Sequence, residues 1–226
     1  MQGWKELECN PDVLNAYLKC LGFKTEEFSF VDVYSLEDEA KSMISPNCLG
    51  FLVCFELSEE INKIKENLPV ATDEEKPTLF FMKQTSQNAC GSIALYHVLA
   101  NTDNELEKLF TAQSQFLDFV RSAKELNAET RGKLFSENSY IKETHNKFCE
   151  EGATSSNAST ENHFIALIPY KGNVYEVDGM REREFNWGPI SKNDFVGTAF
   201  SIIRKMIAAS PKENNFSIIA LTKNSE

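Results

Sequence analysis

Residues 78–101 read TLFFMKQTSQNACGSIALYHVLAN, and the reading of this stretch decides the fold. Leu79 to Met82 form an apolar run with the look of a buried strand. Ala89 to Asn101 place Ile93, Val98, Leu99 and Ala100 at helical spacing. A short polar turn joins the two, so Cys90 falls in the first turn of a helix. A thiol there faces unpaired backbone N–H groups and the positive end of the helix dipole, which favours the nucleophilic thiolate. A lone cysteine is more often a small core residue, so its company has to decide between the two readings.

Six residues upstream, Gln84 sits in the strand-to-helix turn, where its amide N–H and the backbone N–H of Cys90 can converge as two donors of an oxyanion hole. Far downstream, His163 to Asp178 read HFIALIPYKGNVYEVD, two apolar runs flanking Lys171-Gly172-Asn173 and hence a β-hairpin. If His163 and Asp178 are directly opposed, the hairpin centre falls between Tyr170 and Lys171. Their Cβ atoms then lie roughly 4.5 to 5.5 Å apart. A carboxylate beside an imidazole fixes its tautomer and stabilises its charged form, leaving the other ring nitrogen to work on a thiol. In the chain order Gln, Cys, His, Asp, the set reads as a papain-type thiol hydrolase.

QTSQNACGS, NHFIAL and YEVDG together resemble the ubiquitin C-terminal hydrolases. The resemblance runs from WKELECNPDVL through FVDVYSL and FFMKQT to FSIIALT, and it is strongest to the short, single-domain members. It implies a cysteine deubiquitinase that cuts after the C-terminal glycine of ubiquitin. Cys90 then matches the nucleophile, His163 the base, Asp178 its orienting acid and Gln84 the oxyanion donor. It also assigns ubiquitin contacts to Glu6, Leu7, Glu8, Asn10, Pro11 and Phe216, and adds a backbone knot to the fold. Ser92 stands where threonine is expected, and Asn162 replaces the usual apolar residue before the histidine. Two other readings keep the same fold: a catalytically idle ubiquitin-binding protein, and a hydrolase of a related ubiquitin-like modifier.

The 226 residues are 42% hydrophobic and 25% charged, an ordinary globular composition, and are read as one catalytic domain over 1–226. A net charge of −11 argues against nucleic acid or an anionic membrane as partner and suits a basic one. Six cysteines without a CxxC pair and only three histidines offer no zinc spacing, so neither metal nor cofactor is expected. No apolar run at the N-terminus could act as a signal peptide and no stretch approaches a membrane span, so the chain is expected in the cytoplasm with reduced thiols; it is also expected to be a monomer.

Asn10 as N-cap, Pro11 at the first position and Gly22 beyond the end predict a helix. Strands are expected at Phe28 to Tyr34, Leu49 to Leu57 and Asn215 to Thr222, besides the hairpin, with a short extended piece at Glu182 to Trp187. Helices are expected at Ser35 to Met43, Ser58 to Leu68, Asn104 to Leu126, onward to about Phe148, and Lys192 to Ala209. Pro69 to Pro77 is an acidic connection. His97, about 10.5 Å along the helix from Cys90, cannot be its partner, and His145 reads as a surface residue. Cys149 to Asn162 carries no large apolar residue and reads as a mobile loop; the family resemblance places here the loop that crosses over the active site, and its short reach is expected to favour small or unfolded leaving groups. The fold class is α+β: a mostly antiparallel six-stranded sheet with helices on both faces.

Overall fold

Asn10 and Pro11 start a helix as their chemistry requires. In α1 (Pro11–Cys20) the Asn10 side chain accepts the Asp12 N–H, and Val13, Leu14, Tyr17 and Leu18 are buried. Its end is a Schellman motif: Gly22, at φ +86°, donates to Lys19 O and Phe23 donates to Leu18 O. The computed structural model describes residues 3–69, 78–102, 106–151, 162–212 and 215–224. The expected connection after Leu68 and the polar stretch before His163 therefore lie largely outside the described residues, at 70–77 and 152–161.

The architecture is α+β. Strands β1 (Phe28–Asp32), β2 (Cys48–Glu56), β3 (Asn162–Tyr170), β4 (Asn173–Val177), β5 (Phe185–Pro189) and β6 (Phe216–Lys223) form one sheet in the order β1-β6-β2-β3-β4-β5. Every pairing is antiparallel. The near-continuous apolar runs of β2 and β3 are explained by cover on both faces. Leu52, Phe164, Ala166 and Ile168 enter one core, while Phe51, Val53, Phe55, Ile165 and Leu167 enter the other. The first core takes α1, α4 (Cys90–Ala100), α5 (Gln115–Ala123) and α7 (Ser139–Glu151), with α6 (Ala128–Glu137) contributing Phe135. The second is closed by α3 (Glu59–Glu66) and α8 (Phe195–Ala209), and α2 (Asp38–Ser42) is a short outer turn. α4 lies across β3 and β2 and is buried all round from Gly91 to Leu99, which is why its sequence shows no clean polar face.

Four expectations need correction. Leu79 to Met82 is buried but joins no strand. Side chains take the place of a ladder: Asn101 Oδ1 accepts the Phe80 N–H at 2.7 Å, His97 Nε2 accepts the Met82 N–H at 3.0 Å, and Arg131 Nη1 donates to Phe81 O at 3.0 Å. Apolarity predicted the burial; nothing local in the run could show that its hydrogen bonds go to a helix. Asn104 to Leu126 is not one helix. A 3₁₀ turn at Leu106–Leu109 precedes α5, because the Ser114 hydroxyl caps α5 by accepting the Leu117 N–H and donates to Leu21 O at 2.6 Å. Cys149 to Glu151 belong to the last turn of α7, continuing its Ile141, His145, Phe148 face, and Asn162 opens β3. Finally, His145 is fully buried rather than on the surface.

Candidate active site

The turn that delivers Cys90 is built by Asn88, which takes a left-handed φ of 60° and donates from Nδ2 to Trp4 O at 3.3 Å. Buried Ala89 caps α4, and Cys90 is its first residue, half-buried. Leu7 packs against Gly91, so the N-terminal segment lies over the first turn of α4.

His163 and Asp178 meet, though not as directly opposed partners. The hairpin turns on two residues, Lys171 and Gly172, both at positive φ, and Ala166 pairs with Val177. Continuing that register sets Asp178 against Ile165, two residues from His163 on the same face. The contact is therefore diagonal, and His163 Nε2 lies 2.7 Å from Asp178 Oδ1. Both side chains are buried. Burial pulls the imidazole down, but hydrogen bonds to Asp178 and to Cys90, with the charges of both, outweigh it and raise His163 to about 9. At Asp178 burial pushes up; the His163 hydrogen bond and charge, the Met180 N–H and the Lys65 charge overcome it and hold the carboxyl at about 2. The arrangement is a carboxylate, an imidazole and a cysteine sulfur in series, the order in which the ring can hold a proton taken from sulfur.

Gln84 is fixed from its backbone, whose N–H donates to Gly179 O at 2.7 Å. A Cβ at Gly179 would stand 2.9 Å from Ile93 Cγ2 and 3.2 Å from Gln84 Cβ, so only glycine lets the residue after Asp178 close against both α4 and the Gln84 turn. One amide N–H of Gln84 goes to Ser86 O at 3.0 Å, and Oε1 is buried without a partner among the described residues. The second amide N–H remains as a donor.

The expected ubiquitin contacts fall in different settings. Glu6 is exposed, Glu8 and Pro11 are half-buried, Asn10 is engaged as the α1 cap, and Leu7 is buried in the core. Phe216 stacks on Phe55 with ring centroids 5.2 Å apart. Three groups around Asp178 escaped the sequence reading: Arg181, Lys65 and the Met180 N–H. Arg181 follows Asp178 by three residues, a weak signal; Lys65 gave none, since it sits in a charged helix and only the fold buries it against Glu176. Among the described residues no cluster of His, Cys, Asp or Glu is arranged to hold a metal ion, and no helix is long and apolar enough to cross a membrane.

The sequence pattern of the family described as ubiquitin carboxyl-terminal hydrolase, family 1, matches residues 4–208. The chain belongs to this family. It is similar to ubiquitin carboxyl-terminal hydrolase 3 of Arabidopsis thaliana, with 32% identity over 223 residues covering 97% of this chain and 94% of that one. It is likewise similar to isozyme L1 of Rattus norvegicus, with 30% identity over 221 residues covering 97% and 98%. In fold it resembles the crystal structure of the Trichinella spiralis UCH37 catalytic domain bound to ubiquitin vinyl methyl ester. The TM-score is 0.80 at 22% identity, over 99% of this chain and 97% of that one. As a member of the ubiquitin carboxyl-terminal hydrolases, the chain is a thiol-dependent hydrolase.

Proposed function

We propose that the protein is a cysteine deubiquitinase acting as one catalytic domain, a cytoplasmic monomer that removes small or unfolded adducts from the C-terminal glycine of ubiquitin. The observation that carries this reading is the series from Asp178 through His163 to Cys90. Cys90 sulfur attacks the glycine carbonyl with its proton already held on His163; the tetrahedral oxyanion is met by the Cys90 N–H and the Gln84 amide. Collapse passes the proton from His163 to the leaving amine or alcohol and leaves a thioester. Water then attacks with His163 as base, releasing the ubiquitin carboxylate and the free thiol. Asp178 orients the imidazole and stabilises its charged form throughout.

In this reading Glu6, Glu8, Asn10, Pro11 and Phe216 face ubiquitin, and Leu7 supports them from beneath. The acidic residues suit a basic partner and act mainly on association. An electrophilic ubiquitin probe tests the whole proposal: it should label the protein once, on Cys90. Labelling elsewhere, or labelling by probes of related modifiers alone, overturns it. A ubiquitin ester cleaved no faster than a ubiquitin dimer overturns the choice of leaving group.

A further inference from the structure

Asp178 is held by more than its histidine. Oδ1 accepts from His163 Nε2 at 2.7 Å and from the Met180 N–H at 2.9 Å, and Oδ2 accepts from Arg181 Nε at 3.3 Å. The far end of the same guanidinium, Nη2, donates to Asn62 Oδ1 on α3. The Arg181 backbone is pinned as well: its N–H donates to Asp178 O at 3.0 Å, and Lys83 Nζ donates to its carbonyl at 2.9 Å. We infer that Arg181 is a positioning residue for Asp178 and that α3, through Asn62, sets its aim. The inference rests on the hydrolase reading above and adds to it a contact from the opposite side of the site to Cys90's helix.

The physical reason is the symmetry of a carboxylate. Donors on Oδ1 alone leave its plane free to rotate, whereas a second donor on Oδ2 fixes the plane and points an Oδ1 lone pair at the imidazole. Arginine suits the task because its planar fork spans two acceptors at a set separation, carrying the position of Asn62 to Asp178. α3 is itself a firm reference. Lys65 is buried on it, 2.5 Å from Glu176 Oε1 of β4, and Trp187 Nε1 donates to the other Glu176 oxygen at 3.0 Å. The charged and titratable groups facing Asp178 are His163 from β3, Arg181 from its own loop, Lys65 from α3 and His97 from α4; Cys90 faces His163. His97 is pushed down to about 4 by burial, so of the two histidines only His163 carries charge near neutral pH.

The test compares Arg181→Ala, Arg181→Lys, Asn62→Ala and the Arg181→Ala/Asn62→Ala pair with the parent. Readouts are kcat and KM on a fluorogenic ubiquitin substrate, and the low-field Nε2–H resonance of His163 by NMR. Arg181→Ala should lower kcat about tenfold with KM unchanged, and should move the resonance upfield with faster exchange. Arg181→Lys, which keeps the charge and loses the fork, should not restore either. Asn62→Ala should act in the same direction more weakly, and the pair should lose no more than Arg181→Ala alone. Unchanged kcat and resonance in Arg181→Ala, or losses that multiply in the pair, overturn the inference. If the parent fails to turn over the ubiquitin substrate, the hydrolase reading falls while the resonance still decides the positioning role. Should Arg181→Ala not fold, the milder Asn62→Ala decides alone: an unmoved resonance there overturns the aim from α3.

Discussion

Two thiol–imidazole pairs lie in this molecule, and they behave oppositely. At the hairpin, His163 reaches Cys90 with Asp178 behind it. In α7, His145 Nε2 lies 3.3 Å from Cys149 Sγ, with Ser92 Oγ 2.7 Å from its Nδ1 and Lys5 O 2.7 Å from its Nε2. Both imidazoles are buried and both make 2.7 Å hydrogen bonds, so neither burial nor geometry distinguishes them. The difference is the charge of what stands behind the ring. His163 has a carboxylate and is raised to about 9; His145 has a hydroxyl and a carbonyl, and burial lowers it to about 4. Burial likewise pushes the Cys149 thiol up to about 12. The second pair stays neutral and ties the Lys5 segment, α4 and α7 together. Ser92 Oγ donates to Tyr17 Oη at 2.9 Å and lies 2.7 Å from His145 Nδ1, while Lys5 O accepts from His145 Nε2 at 2.7 Å. One pair of residue types thus holds a charged imidazole or forms a neutral structural joint according to one carboxylate.

The comparison breaks most sharply at sulfur. Cys90→Ala should abolish hydrolysis of a fluorogenic ubiquitin ester while ubiquitin binding persists, whereas Cys149→Ala should leave kcat essentially unaltered. Turnover retained in the first, or lost in the second with the fold intact, would reverse the roles of the pairs. Asp178→Asn should cost on the order of 10³- to 10⁴-fold in kcat, the scale for removing the carboxylate behind a catalytic imidazole. It should also remove the alkaline half of the pH dependence of stability. A raised His163 stabilises the fold fully below its ordinary 6.5, and that contribution is lost as pH rises through about 9. The depressed Asp178 contributes above 3.8, lost as pH falls through about 2. Urea unfolding of parent and variant between pH 6 and 10 checks this; parallel curves would mean that the pair does not titrate as described.

Gln84→Ala should reduce kcat by about 10²- to 10³-fold, the loss expected for one oxyanion donor, with little change in stability. The smallest effect belongs to the quiet pair. His145→Phe should leave kcat unmoved but destabilise the fold by about 1–3 kcal/mol, because the Ser92 hydroxyl and Lys5 carbonyl lose a buried partner. His145, lowered to about 4, resists protonation in the fold, so the parent loses stability as pH falls from 6.5 toward 4 and the variant should lose less. Denaturant midpoints at pH 7 and pH 5 measure both effects.

What the chain order disclosed and what it hid follow from the range of the physics involved. Asn10-Pro11, Gly22 and the near-continuous apolar run of β2 are local signals, and each element appeared where they put it. Cys90 at the start of α4 and the His163–Asp178 contact were legible because helix start and hairpin register are short-range quantities. Even there, the turn at Lys171-Gly172 lies one residue beyond the inferred centre and converts an opposed pair into a diagonal one. His145 misled because a lone polar residue in a charged helix looks solvated; its partners Ser92 and Lys5 lie 53 and 140 positions away. The buried path of Leu79 to Met82 was legible as burial, but its hydrogen bonds to His97, Asn101 and Arg131 come from later in the chain.

The sheet order has a consequence for biosynthesis. β6, the last of the six strands to be made, is an inner strand, paired with β1 from Phe28↔Lys223 to Asp32↔Ile219 and with β2 on its other edge. A growing chain therefore exposes β1 and the β6-facing edge of β2 for on the order of ten seconds, at roughly 5–20 residues per second, before their partner exists. β3, which carries His163, is laid on the opposite edge of that same β2. Such open edges recruit other strands, so nascent chains of this protein need shelter until Phe216 to Lys223 emerge. A ribosome that stalls short of that point displays Cys90 without the finished sheet that carries His163.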